Sequence, residues 1–313
     1  MFVINHRKIF FAITAILSVL CIAAFFVYGL NFGIDFTGGS VLEVSYSAPA
    51  SASMSTPTTA ATTRPAQELV KTNIDKLGLE EYSVRPSGEN KFIVQTKSIS
   101  PEEKNKILQA LTVGSAVPKE ERFNSIGPVV GAELKNKSFV AIAVAILGIV
   151  LFITFAFRKV SKPVSSWKYG AATIIALVHD ILLSAGVFVV WSHFRGGDLD
   201  LLFVSALLAI LGYSVHDTIV VFDRVRENLK LDHEKRERKE FETIVGQSIT
   251  QTIGRSINTS LTIVLVLVAL YFLGGESTRN FTFVLLVGVI AGTYSSIFLA
   301  SPLLVFFEKL QKK

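Results

Sequence analysis

The feature that most constrains this chain is a series of long stretches free of ionised side chains. A helix crosses the hydrocarbon core of a bilayer in about 20 mostly apolar residues. Runs of this kind lie at Ile9 to Ile34, Ser138 to Phe157, Tyr169 to Trp191, Leu201 to Phe222, Ser256 to Gly275 and Asn280 to Phe307. Acidic, basic or histidine side chains enter only two of them, as His179 with Asp180 and as His216 with Asp217. With 50% hydrophobic residues gathered in blocks among 313, the sequence predicts a polytopic membrane protein rather than two soluble domains.

The first run follows Arg7 and Lys8 like a secretory signal, but its apolar part is longer than a signal's hydrophobic region, so it is expected to stay attached. Cys21 follows Leu20, where lipoprotein processing wants a small residue, and a lone cysteine excludes an intrachain disulfide.

The net charge of +6 invites a nucleic-acid reading, and its distribution argues against one. Arg7 and Lys8 precede span one; Arg158, Lys159, Lys162 and Lys168 separate spans two and three; a basic cluster from Arg224 to Arg255 separates spans four and five; Lys309, Lys312 and Lys313 end the chain. The short loops on the other side carry only Arg195 and Arg279. By the positive-inside rule both termini are expected in the cytoplasm and residues 33–137 outside it. No nucleic acid, metal, cofactor or catalytic residue is expected; membrane lipid is the surrounding medium.

Within the outward segment, residues 47–66 are rich in Ser, Thr, Ala and Pro and read as a flexible tether. Around it, Val41 to Tyr46 alternates like a strand, Ala66 to Leu77 has helical spacing, and Tyr82 to Pro86 and Phe92 to Thr96 read as strands. Ser100-Pro101-Glu102-Glu103 is a helix start, with the helix running to Leu111, and Arg122 to Ile126 supplies a last strand. The order strand, helix, strand, strand, helix, strand suggests a ferredoxin-like α+β domain. The expected fold is thus a membrane all-α bundle of six transmembrane helices with an inserted extracytoplasmic α+β (ferredoxin-like) domain between helices one and two. Its parts are residues 1–32 (N-terminus and first helix), 33–137 (outer domain) and 138–313 (five-helix membrane domain). In the last, the cytoplasmic loop 223–255 mixes both signs of charge and reads as a solvated helix hairpin.

Ionisable groups inside a membrane are costly, which makes His179, Asp180, His216 and Asp217 functional candidates. On span four, Tyr213 and Ser214 precede Asp217 by four and three residues and extend a polar stripe on its face. Arg255, Asn258, Thr259 and Thr262 share one face of span five, and that stripe is expected to point inward. A carboxylate and a guanidinium inside a bundle neutralise each other and allow proton exchange when they separate, a device for coupling proton flow to movement. Gly288, Gly292 and Ser296, at four-residue steps on span six, read as a close-packing face.

Four stretches together resemble the SecF family of bacterial protein-export subunits, relatives of the resistance-nodulation-division transporters. They are Gly33-Ile34-Asp35-Phe36-Thr37-Gly38-Gly39, the run Ile126-Gly127-Pro128-Val129-Val130-Gly131-Ala132-Glu133-Leu134, span four with its exit from Gly212 to Asn228, and Arg255-Ser256-Ile257-Asn258-Thr259-Ser260. The resemblance runs from Met1 to the C-terminus, broken mainly by the tether. It implies a non-enzymatic inner-membrane subunit that joins SecD and the SecYEG channel and uses the proton motive force to promote late preprotein translocation after the ATP-driven step of SecA. SecA itself and YajC-like accessory subunits are further implied partners. It also implies that Asp217 and Arg255, with His216 beside them, belong to a proton path, supported by Tyr213, Ser214, Asn258, Thr259, His179 and Asp180.

Two other readings exist. A half-transporter of the same superfamily exporting a small molecule or lipid would share the fold, since fold does not fix cargo. An intramembrane aspartyl protease would use Asp180 and Asp217 as a dyad, but the Gly-x-Gly-Asp pattern of such enzymes is absent from Gly212 to Asp217. The Gly-rich Asp35 to Gly39 lacks the lysine and following helix of a phosphate loop and reads as a tight turn.

Overall fold

In a computed structural model the described residues are 1–46, 64–79, 81–88, 90–114, 116–158, 164–236 and 238–311. They form two compact units, one of residues Phe32–Lys137 and one of Met1–Asn31 with Ser138–Lys313. Most of the proposed tether, residues 47–63, lies outside the described residues.

The elements, in chain order, begin with α1 (Phe2–Asn5), α2 (Arg7–Tyr28), α3 (Ile34–Thr37), β1 (Gly39–Tyr46) and α4 (Gln67–Asp75). There follow β2 (Tyr82–Ser87), β3 (Lys91–Thr96), α5 (Pro101–Ala110), β4 (Pro118–Ile126), α6 (Pro128–Ala156) and α7 (Ser166–Arg195). The chain continues with α8 (Leu201–Lys235), α9 (Phe241–Leu273), α10 (Glu276–Ser295), a π-helical turn (Ser296–Ala300) and α11 (Ser301–Gln311).

The smaller unit is an antiparallel sheet in the order β2-β3-β1-β4, the ferredoxin-like arrangement. Alternation sets its faces: Leu42, Val44 and Tyr46 on β1 with Phe92 and Val94 on β3 point into one core, closed by Val70 and Ile74 of α4 and Ile107 of α5. A bulge lets Glu43 pair with Arg122 and Val44 with Glu120, which leaves Glu121 as the extra residue of β4. The Ser45 hydroxyl donates to that Glu121 at 2.7 Å and holds its carboxyl below the usual range. Helix α5 starts where the sequence indicates: Ser100 accepts from the Glu103 amide at 3.3 Å, and Glu103 accepts from the Ser100 amide at 2.8 Å.

The two glycine-bearing motifs at the ends of this unit pack on each other. Gly38 and Gly39 have φ of 75° and 127°, which a side chain rarely adopts, and a Cβ on Gly38 would stand 2.6 Å from Pro128 Cα. A Cβ on Gly131 would stand 2.7 Å from the Gly38 amide nitrogen. The turn after the first span and the start of α6 thus interlock through missing side chains.

Among the described residues, six helical segments are long and apolar enough to cross a membrane. Their burial divides them: the most apolar windows of α7, α8 and the α10–α11 segment are 50%, 56% and 56% buried, against 17%, 6% and 17% for α2, α6 and α9. The first three make the packed centre, while the other three present most of their surface outward. Small residues permit the close approach of the central helices. A Cβ on Gly288 would collide with the Ile210 side chain, one on Gly292 would stand 3.0 Å from Ser214 Cβ, and one on Gly186 would collide with the buried Cys21. Fully buried Tyr169 stacks on Phe157 with ring centroids 5.2 Å apart, and Phe222 meets both edge-on. Glu242 at the start of α9 pairs with Arg7 and with Lys309, joining the first and last membrane helices to α9.

One feature departs from the sequence expectation, and one agrees with it. Span six is not one regular helix, because the π-turn inserts an extra residue between α10 and α11. The loop 223–255 is mostly helix, since α8 runs on to Lys235 and α9 already begins at Phe241. The hairpin between them turns at Arg236, which has a left-handed φ of 57°.

Candidate functional site

The candidate residues fall into two groups, one buried between α7, α8 and α10 and one on exposed faces. Asp217 is 6% exposed on α8, and its Oδ2 has no hydrogen-bond partner among the described residues. The Ser256 and Ser296 side chains lie close enough to interact with it. Ser256 is itself buried, with its hydroxyl unpartnered. A carboxylate with an open acceptor beside an open hydroxyl is a place where a proton or a water can enter.

Asp180 is fully buried, and its carboxylate is well partnered. Its Oδ2 accepts from Ser214 Oγ at 2.5 Å and Ser295 Oγ at 2.8 Å, and its Oδ1 lies 3.0 Å from His179 Nδ1. One acid therefore ties α7 to α8 and α10. Further hydroxyls continue the polar seam: Thr218 Oγ1 and Ser296 Oγ are 2.8 Å apart, Tyr213 reaches Ser260 at 2.6 Å, and Ser260 reaches Thr293 at 2.6 Å. The sequence places Ser214 on the face of Asp217; in the structure its hydroxyl serves Asp180.

The expectation for α9 needs correction. Arg255, Asn258, Thr259 and Thr262 do share a face, but that face is exposed, and the inward positions are Thr252, Ser256 and Ser260. The reason is packing volume: α9 approaches α8 and α10 through small hydroxyl residues at four-residue steps, which leaves the guanidinium outside. No ion pair joins Arg255 to Asp217. Arg255 instead lines a cleft with Val220, Asp223, Arg224, Glu227, Gln251 and Thr252, one turn beyond Asp217 along α8. In that cleft Arg224 donates to Gln251 and Glu227, each at 2.6 Å. His216 is likewise exposed, one turn after Gly212, whose face is open.

Sequence reasoning missed Thr218, Ser256, Ser260, Thr293 and Ser295. Serine and threonine are common in membrane helices, so type alone did not single them out. Their spacing carried the signal, as in Thr252, Ser256 and Ser260 at successive turns. Asp180 and Asp217 share no hydrogen bond, and the hydroxyls bonded to Asp180 are those of Ser214 and Ser295. Among the described residues no cluster of three or more His, Cys, Asp or Glu could hold a metal ion.

Comparison with known proteins agrees over nearly the whole chain. The family described as "Protein export membrane protein SecD/SecF, C-terminal" matches residues 106–310, and that described as "SecD/SecF GG Motif" matches residues 23–50. The protein translocase subunit SecF of Thermobaculum terrenum is 39% identical over 98% of this chain and 93% of its own. That of Pseudomonas aeruginosa is 34% identical over 96% and 90%. The crystal structure of SecDF, a translocon-associated membrane protein from Thermus thermophilus, superposes with a TM-score of 0.79 at 30% identity. The match covers 98% of this chain and 38% of that longer one. The family, the membrane spans and the inserted sheet point to a non-enzymatic, multi-pass inner-membrane protein of protein transport. By family match, length and fold alike, the chain belongs to the SecF family of protein translocase subunits.

Proposed function

We propose that this chain pairs with SecD beside the SecYEG channel and uses the proton motive force to promote late-stage preprotein translocation, after the ATP-driven step of SecA. YajC-like subunits are further partners in this reading. Residues 1–32 and 138–313 form its membrane part, with both termini and loop 223–255 in the cytoplasm. Residues 33–137, including tether 47–66, form the extracytoplasmic part that works on the preprotein. Asp217, Arg255 and His216 carry the proton path, and Tyr213, Ser214, Asn258, Thr259, His179 and Asp180 support it.

The observation that carries this reading is the polar stripe of Arg255, Asn258, Thr259 and Thr262, exposed on a helix that crosses a membrane. An amide facing lipid is costly, so another protein surface covers this stripe, with Arg255 at its cytoplasmic edge. The SecD half of the longer SecDF chain is a surface of the right kind, since the present chain matches only 38% of that chain. With SecD in place, Arg255 lies at a subunit boundary, one turn from a buried, incompletely partnered carboxylate.

The test is a photo-crosslinking amino acid at Asn258 in membranes that contain the endogenous partners. A SecD adduct is the expected product. Co-purification of SecD without any such adduct contradicts the proposed boundary.

A further inference from the structure

We propose that His179 and Asp180 form a second proton-binding pair, coupled to Asp217 through the serines at the π-turn. This rests on the proton-coupled reading of Asp217 given above and adds a second titrating site to it.

Three hydrogen-bond contacts converge on Asp180, from Ser214, Ser295 and His179 Nδ1. A protonated Asp180 donates one of these contacts, to His179 Nδ1, and an ionised one accepts all three. In the ionised form His179 Nδ1 carries the hydrogen that Asp180 accepts. That leaves Nε2, which is buried and without a hydrogen-bond partner. In neutral His179 it is a bare lone pair; in charged His179 it is an unpaired N–H. An unmet buried polar atom is costly in either state, so the pocket satisfies neither form of the ring at Nε2. The paired Asp180 meanwhile supplies the counter-charge that makes an imidazolium tolerable in the bundle.

The link to Asp217 is geometric. Ser295 and Ser296 are consecutive at the start of the π-turn, and they serve different acids. Ser295 donates to Asp180, while Ser296 lies 2.8 Å from Thr218 and within interaction range of Asp217. Ser214, bonded to Asp180, is on α8 only three residues before Asp217. Movement of α8 or of the π-turn on a change of charge at Asp217 therefore alters the donors at Asp180. Coupling of this kind acts equally in both directions.

The other titratable groups in the spans packed on α7 are Cys21 and Tyr28 on α2, Tyr213, His216 and Asp217 on α8, Tyr294 on α10 and Glu308 on α11. Of these, Tyr294 stands against the His179 ring with centroids 6.2 Å apart, and its hydroxyl is engaged with Thr14 and the Phe10 carbonyl.

The test uses the wild-type complex in membranes, with hydrogen–deuterium exchange at the histidine C2 position followed by mass spectrometry. The proposal requires a single-proton change at His179 in the wild type. In Asp217→Asn the midpoint should shift by about 0.7 unit, a roughly fivefold change in proton affinity at the low end of site-to-site coupling. His179→Asn keeps a donor for Asp180 but cannot titrate, so its gradient-dependent preprotein release should lose one proton-dependent limb of the pH profile. Absence of His179 titration in the wild type, a midpoint unmoved in Asp217→Asn, or a His179→Asn profile that superimposes on wild type overturns the second pair. Normal gradient-dependent release by Asp217→Asn overturns the underlying proton reading instead.

Discussion

Replacing Gly38 by alanine separates two costs that the structure assigns to one position. The residue has φ of 75°, and its added Cβ would stand 2.6 Å from Pro128 Cα and 2.8 Å from Pro128 N, both backbone atoms that cannot rotate away. A left-handed conformation costs a residue with a side chain about 1–2 kcal/mol. Overpacking adds roughly 1–3 kcal/mol, so the sum is about 2–5 kcal/mol. Two other glycines act as controls. Gly78 has φ of 67° and open space around it, so Gly78→Ala isolates the conformational part, again about 1–2 kcal/mol. Gly131 lacks a positive φ but meets the Gly38 nitrogen at 2.7 Å, so Gly131→Ala isolates the clash, less about 1 kcal/mol for better helix propensity. Amide hydrogen exchange across residues 33–137 of the whole chain reads these differences. At tenfold per 1.4 kcal/mol, Gly38→Ala should speed exchange roughly 30-fold or more, while Gly78→Ala should speed it roughly 5- to 30-fold. Equal effects of Gly38→Ala and Gly78→Ala would show that the Gly38–Pro128 contact does not hold this unit together.

In the membrane unit, Gly288→Ala should destabilise the α8–α10 contact by roughly 1–3 kcal/mol, and Ile210→Val beside it should recover part of that loss in thermal unfolding of the detergent-solubilised chain. Ser100→Ala should cost α5 about 1 kcal/mol through its cap. Its partner Glu103 is held below the usual carboxylate range, chiefly by the Ser100 amide. The Glu103 contribution is thus present above the ordinary carboxylate pKa and is lost as pH falls through its lower folded value, so protection of wild-type α5 should decline over that acid range. A reporter fused at Lys235 should be active in the cytoplasm and one at Ser55 outside it; the opposite pattern contradicts the charge-derived topology.

Much of the fold was legible because each level of the sequence agreed. Charge-free runs gave the spans, alternation in Val41 to Tyr46 and Phe92 to Thr96 gave the central strands, and Ser100 to Glu103 gave the start of α5 to the residue. The π-turn was not legible, since it arises from packing and no proline or glycine marks it within Ser296–Ala300. The site was half legible. Charge in an apolar run exposed Asp180 and Asp217, but a helical wheel gives faces without saying which face the neighbours cover. That is why Arg255, on a well-defined stripe, was expected inside and lies outside, and why Ser214 was assigned to the nearer acid in sequence rather than to Asp180 across the helix gap.

The central claim is that Asp217 exchanges protons to drive late preprotein release, and Asp217→Asn addresses it with the smallest change of shape. The variant keeps the volume of the buried side chain and loses only the ability to ionise, so assembly with SecD should persist. Release of a late-stage preprotein should be followed from spheroplasts or inverted vesicles with the proton gradient intact and with it collapsed. The account predicts that wild-type release depends on the gradient and that Asp217→Asn releases at the collapsed-gradient rate in both conditions. Gradient-dependent release at the wild-type rate by a well-assembled Asp217→Asn protein would contradict it.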